Sequence, residues 1–170
     1  MTAVQGFSPV VGLNPRLLIL GSMPGKPSLQ AVRYYANERN AFWAIMGDLY
    51  GARPEIPYSQ RLDILRAAGI ALWDVIATCE REGSLDADIV HRSVRPNDFS
   101  AFLTVHRSIQ RICFNGAAAE RYFRRLVLPA MTDLGGIQLV CLPSTSPAHA
   151  AKTYDEKLAT WTAALALPNN

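Results

Sequence analysis

This chain is poor in the residues that build metal centres, disulfide frameworks and membrane spans. It contains three cysteines and three histidines in 170 residues. Cys79, Cys113 and Cys141 lie in or near apolar runs at wide, irregular spacing. That spacing suits neither a disulfide framework nor a four-cysteine cluster, so buried, reduced thiols are expected. His91, His106 and His149 lack metal-ligand spacing and compatible neighbours, so no metal and no cofactor is expected. No apolar run reaches the length of a membrane span, and MTAVQGFSPVVGLNP lacks the basic-then-apolar pattern of a secretory leader. These absences lead us to expect a cytoplasmic protein with no membrane partner. Charge is sparse as well: 18% of residues are charged and the net charge is +3. The arginines are scattered and form no long basic tail, a balance that permits a polyanionic partner without demanding one.

What the chain does have is enough apolar sequence, 49% of residues, to bury one sizeable core. No repeat or linker divides it, so a single domain over residues 1–170 is expected, as a monomer. Short apolar runs bounded by turn residues predict strands at Leu17–Leu20, Ile70–Val75, Ile112–Phe114 and Ile137–Leu142. Between and after them, helices are predicted over Ala41–Leu49, Ser59–Ala68, Asp98–Ile109, Ala117–Leu126 and Tyr154–Leu165. Asn97 or Asp98 is a suitable cap for the third of these. Strand and helix alternate, which gives an α/β fold: a three-layer α/β/α sandwich around a short, mainly parallel four-stranded sheet.

In such sheets ligands bind beyond the carboxyl ends of the strands. Four stretches qualify as converging loops: GSMPGKPS, DVIATCEREGS, NGAAAE and PSTSPAHA. The first is not a P-loop, because three residues rather than four separate its second glycine from the first, and Pro27 follows Lys26. A proline there argues against a helix whose free N–H groups hold phosphate. Nor does Gly-Ser-x-Pro-Gly match a nucleophile elbow, which leaves Ser22 a small claim as a nucleophile.

Read together and in order, GSMPGKPS, YYANERNAFW, GIALWDV, FNG and LPSTSPAHA resemble the uracil-DNA glycosylase superfamily, most of all its hypoxanthine-DNA (deoxyinosine) glycosylase branch. The resemblance runs from about Gly12 to Trp161. It implies cleavage of a base–sugar bond in DNA carrying a deaminated base, hypoxanthine first and uracil second. The DNA is expected to be double-stranded, with single strands left open. Related mismatch enzymes hold the attacking water with an asparagine in the first turn; here that position is Met23, which has no such capacity. In the hypoxanthine branch the asparagine comes from the Asn-x-Phe-Trp segment, which is Asn40-Ala41-Phe42-Trp43 in this chain. On residue type alone Asn40 reads equally as a helix cap, and the two roles are compatible.

The same resemblance implies the remaining site residues. Gly21, Ser22 and Met23 belong to a turn whose N–H groups face the departing base. Tyr35 takes the place of the aromatic that stacks on a flipped base, although a tyrosine pair at this point is also ordinary core. Asp74 stands where uracil enzymes place a base-reading asparagine; its plain alternative is a strand-end cap or an arginine partner. Asn115 either lines the pocket or makes a turn with Gly116. Ser28, Ser144 and Ser146 are candidate DNA contacts, with a wedge near Ala148 and His149. Two departures stand out: Glu38 where many relatives have proline, and Leu142 where uracil enzymes have histidine. Lys26 has no feature that would make it a lyase nucleophile, so a monofunctional enzyme is expected. The competing readings are a uracil or mismatch glycosylase with little action on hypoxanthine, and a lesion-binding protein without activity.

Overall fold

A computed structural model describes residues 2–168. In chain order the elements are β1 (Ala3–Gln5), β2 (Leu17–Gly21), α1 (Lys26–Ala31), α2 (Phe42–Tyr50), α3 (Tyr58–Ala67), β3 (Ile70–Asp74) and β4 (Ile76–Glu80). There follow β5 (Arg95–Pro96), α4 (Phe99–Val105), β6 (Arg111–Asn115), α5 (Ala117–Tyr122), β7 (Gln138–Leu142) and α6 (Tyr154–Leu165). The main sheet has four strands in the order β3-β2-β6-β7, all parallel.

Central strand β2 is buried at every position, which is why it reads as an unbroken apolar run. Its side chains still alternate between two cores. Leu18 and Leu20 pack with Phe99, Phe102 and Phe123 on one face of the sheet. Leu17 and Ile19 pack with Phe42, Trp43, Leu65 and Trp161 on the other. Helices therefore cover both faces, and the expected three-layer sandwich is what the chain forms. Because the chain leaves β2 toward β3 and later returns to β6 on the opposite side, the carboxyl end of β2 is the sheet's switch point.

Helix ends follow local chemistry. Asp98 accepts from the N–H of Ala101 at 2.9 Å and caps α4. Thr153 and Glu156 form a reciprocal capping box at the start of α6. Trp161 of α6 is fully buried, and its indole N–H donates to Pro143 O at 3.0 Å, tying the helix to the loop after β7.

Four expectations are corrected. DVIATCEREGS is not one loop, since its middle, Ile76–Glu80, is β4, paired antiparallel with β1 and β5 in a second sheet of three strands. Its partners lie far away in sequence, so no hairpin signal announces it. GSMPGKPS does run into a helix, α1, with Pro27 in the first turn; a proline is tolerated there because that N–H needs no partner. The predicted helix over 117–126 is α-helical only to Tyr122 and continues as a π turn over Phe123–Val127. Cys79 and Cys113 are buried, but Cys141 is exposed, because it lies on the edge strand β7.

Replacing Trp161 with phenylalanine keeps most of the buried ring and removes the bond to Pro143. Urea denaturation is expected to show a loss of about 1–2 kcal/mol, one buried acceptor left unpaired.

Candidate active site

Parallel registry sets the site. Gly21 pairs with Asp74 across β2 and β3, Leu20 with Phe114 across β2 and β6, and Asn115 with Leu142 across β6 and β7. The strands thus end level with one another, and the loops that follow surround one cavity of about 760 Å³. Every catalytic, base-binding or DNA-binding candidate from the sequence lines it: Gly21, Ser22, Met23, Ser28, Tyr35, Asn40, Asp74, Asn115, Ser144, Ser146, Ala148 and His149.

At the floor, Gly21 and Asp74 are in close approach. A Cβ on Gly21 would lie 2.5 Å from Asp74 Oδ1, so glycine is needed for space. Asp74 is 4% exposed, and its Oδ2 has no hydrogen-bond partner among the described residues. Burial first, and then the nearby Asp86, raise its pKa to about 7 against the opposing pull of Arg81. Tyr35 stands beside this pair, with its hydroxyl 3.5 Å from the same Cβ point and buried without a partner among the described residues. Its backbone is left-handed, at φ 55°, an unusual conformation for a residue other than glycine. The ring stacks on Phe42, with centroids 3.9 Å apart and planes 20° from parallel. Tyr34 packs behind, its N–H donating to the Tyr58 hydroxyl and its own hydroxyl to Ser8 O, both at 2.9 Å.

Asn40 precedes α2 by two residues. Its Oδ1 accepts from the N–H of Phe42 at 2.9 Å, and its own N–H donates to Asn37 O at 2.9 Å. The cap position of α2 is Ala41, so Asn40 sits one residue before it and its side chain holds the first helical N–H rather than capping the helix as residue type suggested. Next to it, the N–H of Ala41 donates to Thr145 O at 3.0 Å. Thr145 is 1% exposed and joined twice to Asn115: its hydroxyl accepts from Nδ2 and its N–H donates to Oδ1, each at 2.9 Å. One threonine thus locks the loops after β6 and β7 to the segment that carries Asn40. The carboxamide of Asn115 is committed to this clamp. Gly116 follows it with φ 97°, and a Cβ there would press to 3.0 Å against Ser144 Cβ.

Other predicted contacts sort by exposure. Ser144 Oγ accepts from the N–H of Ser146 at 3.1 Å, and Ser146 Oγ from the N–H of Ala148 at 3.2 Å, so both hydroxyls shape a turn at the cavity rim. Ala148 is exposed; His149 is half-buried, and its carbonyl accepts from Lys157 Nζ at 2.7 Å. Ser28 is buried instead, accepting from the N–H of Ala36 at 3.1 Å, and it braces the wall from inside. Met23 is buried in the apolar core and brings no polar side chain. Ser22 donates to Asp86.

Sequence reasoning reached the opposite wall only at Ser84, the last residue of DVIATCEREGS, and missed Leu85 to Ala87. Asp86 receives the Ser22 hydroxyl, Ser84 Oγ accepts from the N–H of Lys26 at 2.9 Å, and half-exposed Leu85 stands at the rim. Beneath it Arg81, 2% exposed, donates Nη2 to Pro24 O, while its Nε and Nη1 have no partner among the described residues. The signal was present as REGSLD, a charged and small-residue run inside an otherwise apolar stretch.

Two outcomes follow from Asp74 and Gly21. The rise from an ordinary value of 3.8 to about 7 corresponds to on the order of 4 kcal/mol of stability lost once the group is ionised. The folded-state value lies above the unfolded one, so this loss is absent below about pH 4, grows as pH rises and is complete above about pH 7. Asp74→Asn is expected to raise Tm more at pH 8 than at pH 5, as measured by calorimetry. Gly21→Ala is expected to cost about 1–3 kcal/mol by overpacking. A double-mutant cycle with Asp74→Ala, read by urea denaturation, is expected to show that most of this cost disappears when the carboxylate is gone.

Comparison with known proteins shows the family. Residues 9–166 match the family model of the Uracil DNA glycosylase superfamily. A protein of Methanosarcina acetivorans named hypoxanthine DNA glycosylase is 35% identical over 146 residues, spanning 85% of this chain and 87% of the relative. One of the same name from Methanosarcina barkeri is 36% identical over 119 residues, 69% of this chain and 74% of that one. The solution NMR structure of a candidate uracil DNA glycosylase from Methanosarcina acetivorans superposes with a TM-score of 0.78 at 33% identity, covering 96% of this chain and 97% of that one. With a family match across nearly the whole chain and relatives of this identity, the chain belongs to the uracil DNA glycosylase superfamily.

Proposed function

We propose that this DNA glycosylase releases deaminated bases from DNA, hypoxanthine first and uracil second, by monofunctional hydrolysis that leaves an abasic site. The observation that carries the reading is the fixed position of Asn40 on the wall of the cavity that also holds Tyr35 and Asp74. The names of the two Methanosarcina relatives support hypoxanthine as the first substrate.

The chemistry follows from the parts. Breaking an N-glycosidic bond develops positive charge on the sugar and sends the bonding electrons into the base. A carboxamide oxygen has two acceptor positions, and Phe42 N–H uses one of those on Asn40. The other holds the attacking water, and the bonds to Phe42 and Thr145 keep that water in place without reorganisation. Tyr35, backed by Phe42 on one face, offers its other face to a flipped base, which recovers part of the energy of unstacking. Asp74 reads the edge of the base. Backbone N–H groups of the Gly21–Gly25 turn donate to its carbonyl oxygen. Ser144 and Ser146 still have O–H donors for phosphates, and Ala148 and His149 enter the groove.

A duplex carrying one inosine, uracil or thymine mismatch, incubated with the enzyme and nicked with alkali, tests this. Wild type is expected to cut at inosine fastest, and Asn40→Ala to lower single-turnover release roughly 10²–10⁴-fold while still binding the lesion. Release undiminished in Asn40→Ala would remove Asn40 from the mechanism. Faster release of uracil than of hypoxanthine would reverse the substrate order, and binding without release by wild type would replace catalysis with lesion binding.

A further inference from the structure

Asp74 is an odd choice for a group that faces a leaving base. As the base departs it gains negative charge, and a carboxylate against it in a dry cavity opposes that charge. The surroundings do nothing to correct this by pairing. Among the described residues Oδ2 has no hydrogen-bond partner, although the group is 4% exposed and lines the cavity. Among the described residues the ion pairs are Asp63–Arg66 and Glu120–Arg124, so no cation is bonded to Asp74. The titratable groups around it are Tyr34 and Tyr35 from the segment after α1, and Arg81 and Asp86 from the stretch after β4. Arg81 gives its Nη2 to Pro24 O, and Asp86 contributes a second negative charge. From β2, Gly21 brings only backbone and Ser22 a neutral hydroxyl that is turned to Asp86.

We propose that Asp74 works as the neutral carboxylic acid, its carbonyl oxygen accepting the lactam N–H of the flipped base and its O–H donating to the adjacent carbonyl oxygen. The inference rests on the glycosylase reading of the same site. A carboxylic acid and a lactam form a closed pair of two hydrogen bonds, and hypoxanthine (N1–H beside O6) and uracil both present that edge. Among the described residues no group competes for the carboxyl at Oδ2, so its proton is free for the base, and that hydrogen bond strengthens as charge flows onto the base. The pKa near 7 makes this form available at neutral pH. The balance of the step is ordinary hydrolysis. The C1′–N bond breaks with its electron pair going to the base, and water oxygen bonds to C1′. One water proton passes to solvent, and the released base takes one up. Asp74 keeps its proton throughout, lending a hydrogen bond rather than transferring it.

Asparagine has the same donor and acceptor without a titrating proton, which makes it the diagnostic substitution. Single-turnover release of hypoxanthine from an inosine duplex, with enzyme saturating, would be followed from pH 6 to pH 9 for wild type, Asp74→Asn and Asp74→Ala. The wild-type rate is expected to be level at the acid end and to fall about tenfold per pH unit beyond the midpoint. Asp74→Asn is expected to show no such fall, and Asp74→Ala to be slower by about 10²-fold or more across the range. In parallel, the Asp74 side-chain carbon in the wild-type protein, followed by ¹³C NMR without DNA, is expected to titrate near pH 7. A titration below pH 5, a level wild-type profile, or a decline in Asp74→Asn parallel to wild type would overturn the proposal and leave the glycosylase reading intact. Failure of wild type to release any base at any pH would overturn both.

Discussion

The site depends on one missing carbon. With a side chain at Gly21, the Asp74 carboxyl could not lie against the end of β2, because the intruding Cβ would come within 2.5 Å of Oδ1. That contact holds an unpaired acid at the floor of the cavity, where burial and Asp86 raise its pKa. It also lets the Tyr35 hydroxyl approach the same point from the other side. A parallel pair brings Gly21 and Asp74 level, so the close approach is fixed by registry rather than by any loop.

Around this floor, rigidity comes from short links between distant segments. Thr145 bonds to Asn115 and receives the N–H of Ala41, joining the ends of β6 and β7 to the start of α2. Trp161 and Lys157 of α6 hold the same loop from outside, at Pro143 O and His149 O. Small buried hydrogen bonds of this kind add modest stability each, but they leave few alternative positions for Asn40. A neutral carboxamide needs such placement, since it contributes orientation more than charge.

The opposite wall follows a different logic. Ser84 and Asp86 are latched to the first loop through Lys26 N–H and the Ser22 hydroxyl, over a buried Arg81 that has no carboxylate partner among the described residues. A buried guanidinium without a carboxylate partner is costly, and here it lies against the first loop, donating to Pro24 O. Its positive field opposes the rise of the Asp74 pKa, which burial and the half-buried Asp86 drive.

By itself the sequence determined the layered α/β fold, because buried parallel strands must be apolar throughout and the helices between them carry their own periodicity. It also marked the loops at the strand ends, and Asn40, Tyr35 and Asp74 stood out within motifs. What it left undecided was every matter of pairing over distance. The small sheet of β1, β4 and β5 joins segments far apart in the chain, and no local pattern encodes such a partner. The clamp made by Thr145, the burial of Ser28 and the wall formed by Ser84 to Ala87 arise only when separate loops meet. Only the tertiary structure decided that Asp74 lies buried and unpaired: a protonation state depends on solvent and neighbouring charges in space, and sequence order specifies neither directly.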